Sequence, residues 1–180
     1  KRRMKKLLDN IEKSGLVKKT KNNRSYIDVA GLIGNFKLAK KSVPGLFLGY
    51  RYGSDNIKLL MDFAYFYSRG INKESYLFTE YQAQVGLLIS SDVINKLIWS
   101  VGSKLGYDRG EMIKEQQNEV NYNVVFSAES LLSVPLFYGD SFFVRYSHSW
   151  LSPLFNSQDK LASSDLSIAK IISIGYSKLL

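Results

Sequence analysis

Cysteine is absent from the sequence, and proline occurs only three times in 180 residues. Without cysteine, disulfide cross-links, thiol catalysis and metal sites built from thiolates are all excluded. Few prolines leave long segments able to form unbroken strands, because proline interrupts the hydrogen-bond ladder of a sheet. The chain also has 12 tyrosines, 10 phenylalanines and 45% hydrophobic residues, a composition typical of a folded β-protein of about one domain.

Long apolar runs are absent as well. No stretch approaches the ~18 to 20 uncharged apolar residues that a membrane-spanning helix needs, which excludes a helical membrane protein. Motifs for a metal ion or an organic cofactor are not found, so we expect neither.

The net charge is +9, and much of the excess lies in the first 24 residues. The other charges are spread singly along the chain and predict no basic face, so we expect no nucleic-acid partner. Within residues 1–24, Met4, Leu7, Leu8 and Ile11 recur at helical spacing. We therefore predict a basic N-terminal extension over 1–24, as a short helix or tail, followed by one domain over 25–180.

From residue 25 onward the hydrophobic period is two, which predicts strands. Most of these strands are longer than the usual 5 or 6 residues of soluble proteins and match the ~9 to 11 residues that a tilted strand needs to cross a bilayer. The eight predicted strands are 26–37, 46–53, 57–68, 75–90, 97–108, 122–134, 141–150 and 165–178.

The predicted connections alternate in length. Segments 54–56, 91–96 and 135–140 are short, whereas 109–121 and 151–164 are long and polar, and 38–45 and 69–74 are intermediate. Short turns at one rim and longer loops at the other are typical of outer-membrane barrels. The sequence therefore predicts an all-β, eight-stranded, antiparallel up-and-down transmembrane β-barrel.

The two faces of the predicted strands differ in charge. One register, for example Leu59, Met61 and Phe63 in the third strand, is almost free of charge and is predicted to face lipid. The opposite register carries four cations against four anions, which suits a narrow lumen where an isolated buried charge is costly. The predicted lumen ion network consists of Asp28, Arg51, Lys58, Asp62, Glu80, Lys104, Glu129 and Arg145.

Aromatic residues cluster near both predicted rims. Amphipathic rings prefer the two interfaces of a membrane, so the clusters are interpreted as two aromatic girdles. The girdle near the short turns contains Tyr50, Tyr52, Trp99, Phe142 and Tyr176, and the girdle near the long loops contains Tyr65, Tyr67, Tyr107, Tyr122 and Trp150.

The last predicted strand resembles the closing strand of small outer-membrane barrels such as the outer-membrane protein A and X families. Ile172, Ile174, Tyr176 and Leu180 keep alternating apolar positions counted back from the end, and Gly175-Tyr176 resembles the Gly-Tyr pair of those families. The resemblance covers residues 25–180 and implies the same eight-stranded membrane barrel.

A second, partial resemblance concerns chemistry. The segment Arg145-Tyr146-Ser147-His148 resembles part of the active-site motif of lipid A deacylases of the PagL type. The resemblance implies His148 as the base and Asp165 as the acid of a Ser-His-acid relay. Trp150 stands where that family has its serine, so the nucleophile would have to be Ser152, Ser163 or Ser164 from the following loop, or a water molecule activated by His148. The alternative is that His148 belongs to the aromatic belt.

These patterns favour an integral barrel of the bacterial outer membrane without an open pore. Its role would be structural, adhesive or ligand-binding, with outer-membrane lipid or lipopolysaccharide around the wall and an extracellular ligand at the long loops. The first alternative is an acyl-ester hydrolase of the lipid A deacylase kind, and the second is a soluble lipocalin-like binder.

Overall fold

The computed structural model describes residues 23–36, 41–69, 76–92, 97–114, 117–153 and 168–180. In these residues eight antiparallel strands form one closed barrel, in which each strand pairs with the next and the last pairs with the first. The predicted eight-stranded up-and-down barrel is confirmed. The strands are β1 (Arg24–Phe36), β2 (Lys41–Gly53), β3 (Ile57–Arg69), β4 (Tyr76–Asp92), β5 (Ile98–Lys114), β6 (Gln117–Pro135), β7 (Ser141–Pro153) and β8 (Ile168–Leu179).

Several strands extend beyond their predicted bounds. β2 begins at Lys41, and β5 and β6 continue as a hairpin in which Lys114 pairs with Gln117. Most of segments 109–121 and 38–45 was therefore wrongly predicted to be a loop. Charged, polar and turn-forming residues in both segments obscured the alternation, although Val43 and Met112 within them are buried inside the barrel. β7 also reaches Pro153, beyond the predicted end at residue 150.

Helical structure in the described residues amounts to one 3-10 turn, Phe137–Gly139. No helix among them is long and apolar enough to cross a membrane. The predicted N-terminal helix or tail lies outside the described residues, except that β1 already begins at Arg24. The extension over 1–24 and the domain over 25–180 stay predictions.

The barrel has two distinct rims. The β2–β3, β4–β5 and β6–β7 connections, the start of β1 and the end of β8 lie at one rim, here called the turn rim, where Arg24 pairs with Gly53 and Tyr26 with Leu179. The other four connections lie at the opposite rim, here called the loop rim. Leu180 N donates to Ser25 O over 2.9 Å and extends the β1–β8 seam to the end of the chain.

The interior has apolar ends and a polar middle. Leu60, Leu88, Leu131 and Phe143 are buried on the turn-rim side, and Val43, Phe66, Phe78, Met112 and Ile168 are buried on the loop-rim side. Most of the buried charged side chains occupy the level between these two apolar groups. Apolar side chains therefore flank most of the buried charges on both sides.

Candidate functional site: the lipid-facing wall and the charged lumen

The outer wall of the barrel is apolar. Side chains alternate along β3, so that Leu60, Asp62 and Ala64 are buried while Leu59 and Phe63 remain more than 40% exposed. The same outward register continues on the other strands with Val29, Leu48, Val85, Leu87, Val101, Leu105, Phe126, Val144, Ile172 and Ile174, all exposed. An uninterrupted band of this kind is the surface that a barrel presents to hydrocarbon, and it is the face predicted to meet lipid.

The predicted girdle residues lie on the outer wall near the two rims. At the turn rim, Trp99 Nε1 donates to Ser130 Oγ over 2.9 Å, and the Tyr50 hydroxyl lies 3.0 Å from Ser25 Oγ. At the loop rim, the Tyr107 and Tyr122 rings stack with centroids 5.9 Å apart. These side chains combine an apolar ring with a polar contact, as the interface of a membrane requires.

The prediction missed one member of the loop-rim girdle. The Tyr81 ring lies 5.0 Å from that of Tyr65, centroid to centroid. The alternation of β4 already placed Tyr81 on the outward face, so the signal was present in the sequence.

Arg145 occupies the centre of the lumen. Its Nη1 donates to Asp62 Oδ2 over 2.7 Å, and its Nη2 donates to Asp28 Oδ2 over 3.2 Å. The guanidinium carbon also lies 4.4 Å from the centroid of the Phe47 ring, a favourable cation–π distance. One fully buried cation therefore bridges carboxylates that reach it from β1 and β3.

Two further cations complete this group. Arg51 Nη2 donates to Asp28 Oδ1 over 2.8 Å, and Lys104 Nζ lies 2.9 Å from Asp62 Oδ2 and 2.8 Å from Glu129 Oε2. Three cations thus meet three anions, and the charges balance at this level. We call this group the central network: Asp28, Arg51, Asp62, Lys104, Glu129 and Arg145.

The other two predicted members lie at different levels. Lys58 is at the turn rim, where its Nζ donates to Asp55 O over 2.8 Å. Glu80 lies nearer the loop rim and accepts from Ile168 N at 3.1 Å and 3.0 Å and from Gln82 Nε2 at 2.6 Å. The structure therefore brings together six of the eight predicted residues in the central network.

Asp108 is a buried acid that sequence reasoning missed. It accepts from Asn123 Nδ2 over 2.9 Å and belongs with Glu80 to a second polar group, here called the upper cluster, of Glu80, Gln82, Asp108 and Asn123. Asp108 continues the inward register of Ser100 and Lys104 on β5, which was the available signal. It was overlooked because the strand was predicted to end there.

A small cavity lies within the lumen. Asp62, Gln82 and Ser147 help to line its volume of about 20 Å³, a size suited to a single water molecule. An eight-stranded barrel has an interior just wide enough for side chains to fill it.

At the turn rim two hydrogen bonds, here called the polar latch, join the β6–β7 turn to β8. Asp140 accepts hydrogen bonds from the Tyr176 hydroxyl and from Leu179 N, the latter over 3.0 Å. These two donors, followed by the charge of Lys178, hold the pKa of the exposed Asp140 carboxyl below its ordinary value. The β6–β7 turn is thereby tied to the last residues of β8.

His148 faces outward on β7. Its ring meets the Trp150 ring edge to face, with centroids 4.7 Å apart, and its backbone neighbours are Ala128 and Lys170. Ser149 points into the lumen, with its Oγ 2.8 Å from Ser127 Oγ. Asp165 and the side chain of Ser152 lie outside the described residues. His148 therefore contacts an aromatic ring, and its assignment to the aromatic belt or to a catalytic relay stays a prediction.

A metal site is not formed by the described residues, which contain no group of three or more His, Cys, Asp or Glu side chains able to hold an ion. The expectation that the protein binds no metal ion stays a prediction.

Comparisons with known proteins support the fold. No family model and no curated protein matches the chain. Among solved structures, Neisserial surface protein A is 8% identical, with a TM-score of 0.60 over 86% of this chain and 94% of that one. Ail, the attachment invasion locus protein of Yersinia pestis, solved in complex with the heparin analogue sucrose octasulfate, is 16% identical, with a TM-score of 0.61 over 88% and 99%. The N-terminal β-barrel domain of Pseudomonas aeruginosa OprF is 11% identical, with a TM-score of 0.50 over 88% and 100%.

These matches show the fold of the small eight-stranded outer-membrane barrels, as the closing-strand resemblance predicted. At such identities they concern architecture alone. The fold and the apolar wall agree with the predicted outer-membrane location.

Proposed function

We propose that the protein is an integral barrel of the bacterial outer membrane that carries surface loops and has no open pore. The observation that carries this proposal is the pairing of an apolar outer wall with a charge-filled lumen. A lipocalin-like binder has the reverse arrangement, with a polar exterior and a cavity for its ligand. The dense central network supports a sealed barrel, because its ion pairs occupy the path that an aqueous channel would need.

Membrane topology is testable by accessibility. Cysteines at positions 59, 63 and 85 face outward on the apolar wall and should be shielded by lipid from water-soluble thiol reagents. Tyr138→Cys is the matched control, because Tyr138 lies in a turn and is 97% exposed. Labelling of the three wall positions in intact membranes at the rate of position 138 would contradict the proposal.

We further propose that the loop rim binds a polyanionic glycan. Support comes from the sequence of the β1–β2 connection, which contains Lys37 and Lys40 and is followed by Lys41. The Ail barrel was solved with a sulfated sugar, which makes this ligand class the first to test. The β5–β6 hairpin gives the same rim a rigid extension on which surface contacts could be built.

Cells that display the protein should bind to immobilised heparin in a salt-sensitive manner. The triple variant Lys37→Gln, Lys40→Gln, Lys41→Gln should lose most of this binding. Lys5→Gln, Lys6→Gln, Lys13→Gln removes the same charge from the N-terminal extension and should retain it. An equal loss of heparin binding in both triple variants would mean that only the net charge of the protein matters, and it would contradict a loop-rim site.

A further inference from the structure

A groove of about 590 Å³ crosses the outer wall over strands β1 to β5. It runs between two rows of outward side chains, one with Met61, Val85 and Leu105 and the other with Phe63, Ala83 and Tyr107. Ala83 pairs directly with Phe63 and Tyr107, so a small side chain stands between two large ones. The depression therefore follows from the local sequence and is not a general property of the wall.

A charged side chain lies just beyond the groove, on its loop-rim side. The next row toward the loop rim places Arg109 between its direct partners Tyr81 and Tyr122, with Tyr65 beside Tyr81. Arg109 is hydrogen-bonded to Tyr122, and its Nη2 lies 2.9 Å from Glu111 Oε2. Arg109 is two residues beyond Tyr107 on β5, about 6.6 Å along an extended strand. A cation framed by tyrosine rings thus adjoins an apolar trough.

This combination matches the shape and polarity of a lipid. Ligand pockets commonly enclose about 300 to 1,000 Å³ and combine an apolar lining with a few polar groups that fix orientation. An acyl chain fits the trough, and an anionic headgroup fits Arg109, which has five N–H donors and uses only part of them on Glu111 and Tyr122. The loop rim of an outer-membrane barrel faces outward, so the adjoining lipid belongs to the outer leaflet.

We propose that this is a binding site for one phosphorylated glycolipid of the outer leaflet, with an acyl chain beside Ala83 and a phosphate at Arg109. The inference rests on the proposed insertion of the barrel into the outer membrane. Glu111 competes with the phosphate for Arg109, so removal of Arg109 should lower lipid retention and removal of Glu111 should raise it. If the groove bound lipid by apolar contacts alone, neither substitution would change the amount of lipid retained.

The test measures lipid A retained by the refolded full-length barrel in detergent, using native mass spectrometry. Ala83→Trp fills the trough and should lower retention at least about fivefold, and Arg109→Gln should do the same. Glu111→Gln should raise retention. Ala128→Trp is the matched control, because Ala128 faces outward on β6 away from the groove, and it should retain lipid as the wild type does.

The headgroup requirement is tested with dephosphorylated lipid A and with phosphatidylglycerol. The wild type should retain less dephosphorylated lipid A than intact lipid A. Retention of phosphatidylglycerol equal to that of lipid A would overturn the assignment to a glycolipid. Equal effects of Ala83→Trp and Ala128→Trp would overturn the groove. Each variant is also tested for insertion into vesicles: failure of the wild type to insert contradicts the proposed function, while normal insertion without lipid preference contradicts only this site.

Discussion

The central network and the upper cluster lie in the same lumen and on the same strand register, yet they hold their carboxylates differently. In the central network, Asp62 lies within 3 Å of both Arg145 and Lys104. In the upper cluster, Glu80 accepts from the backbone N–H of Ile168 and from the Gln82 amide. Alternation decides which residues point inward, but the height of each residue in the barrel decides which partner it meets.

The difference has an energetic consequence. Loss of one ion from a balanced buried set leaves a charge of the opposite sign without compensation, which is far more costly than loss of one neutral hydrogen bond. We therefore expect substitutions in the central network to be the more damaging.

The largest expected effect comes from Arg145→Met, which removes the central cation and leaves two cations against three anions. We expect a loss of about 3 to 5 kcal/mol in the free energy of unfolding, because the remaining carboxylates stay buried. Urea-induced unfolding in lipid vesicles, followed by the heat-dependent shift in gel migration, measures this loss.

The double variant Arg145→Met, Asp62→Asn restores two cations against two anions. It should be less destabilised than the sum of the two single variants. Strict additivity of the two effects would show that these side chains do not act as one network.

Glu80→Leu should have a smaller effect, about 1 to 3 kcal/mol, since it leaves Ile168 N without its acceptor. Glu80→Gln keeps an acceptor oxygen at this place and should cost less than Glu80→Leu. The same unfolding assay compares both variants with Arg145→Met. If Glu80→Leu lowered the free energy of unfolding as much as Arg145→Met, the expected difference between the central network and the upper cluster would be wrong.

A weaker, pH-dependent effect is expected at Asp140 in the exposed β6–β7 turn. Because the pKa of Asp140 is lowered in the folded barrel, its ionised carboxylate stabilises the barrel at pH values above the ordinary aspartate pKa. This contribution is lost as the pH falls through the ordinary pKa toward the lowered one. Between about pH 6 and about pH 3, the wild type should therefore lose more stability than Asp140→Asn. Parallel pH profiles of the two proteins would argue against the latch.

The smallest effect is expected for the exposed pair Arg24 and Asp55, whose Nη1 and Oδ1 atoms are 3.7 Å apart. Surface ion pairs of this length are screened by solvent and contribute little. Arg24→Gln should leave the unfolding midpoint unchanged within error, which calibrates the assay against the lumen variants.

The sequence predicted the strand number, the outward face and most of the lumen charges, because alternation with a period of two fixes all three. It did not predict where β5 ends and β6 begins, because segment 109–121 is rich in charged and polar residues and the prediction relied on an alternating apolar face. The sequence also did not predict which charged residues pair within the lumen. Glu80 and Asp62 both face inward on neighbouring strands, and only their different levels along the axis of the tilted barrel separate them.

The seam between β1 and β8 closes the barrel, and there Tyr26 pairs with Leu179. Contacts between distant parts of a chain form slowly, because the entropy of closing a large loop must be overcome first. Arg145 on β7 reaches Asp28 on β1 and Asp62 on β3, so its ion pairs join strands from the two halves of the barrel. We therefore expect closure of the seam to be a slow step of folding, and the one at which the charges of the central network leave water.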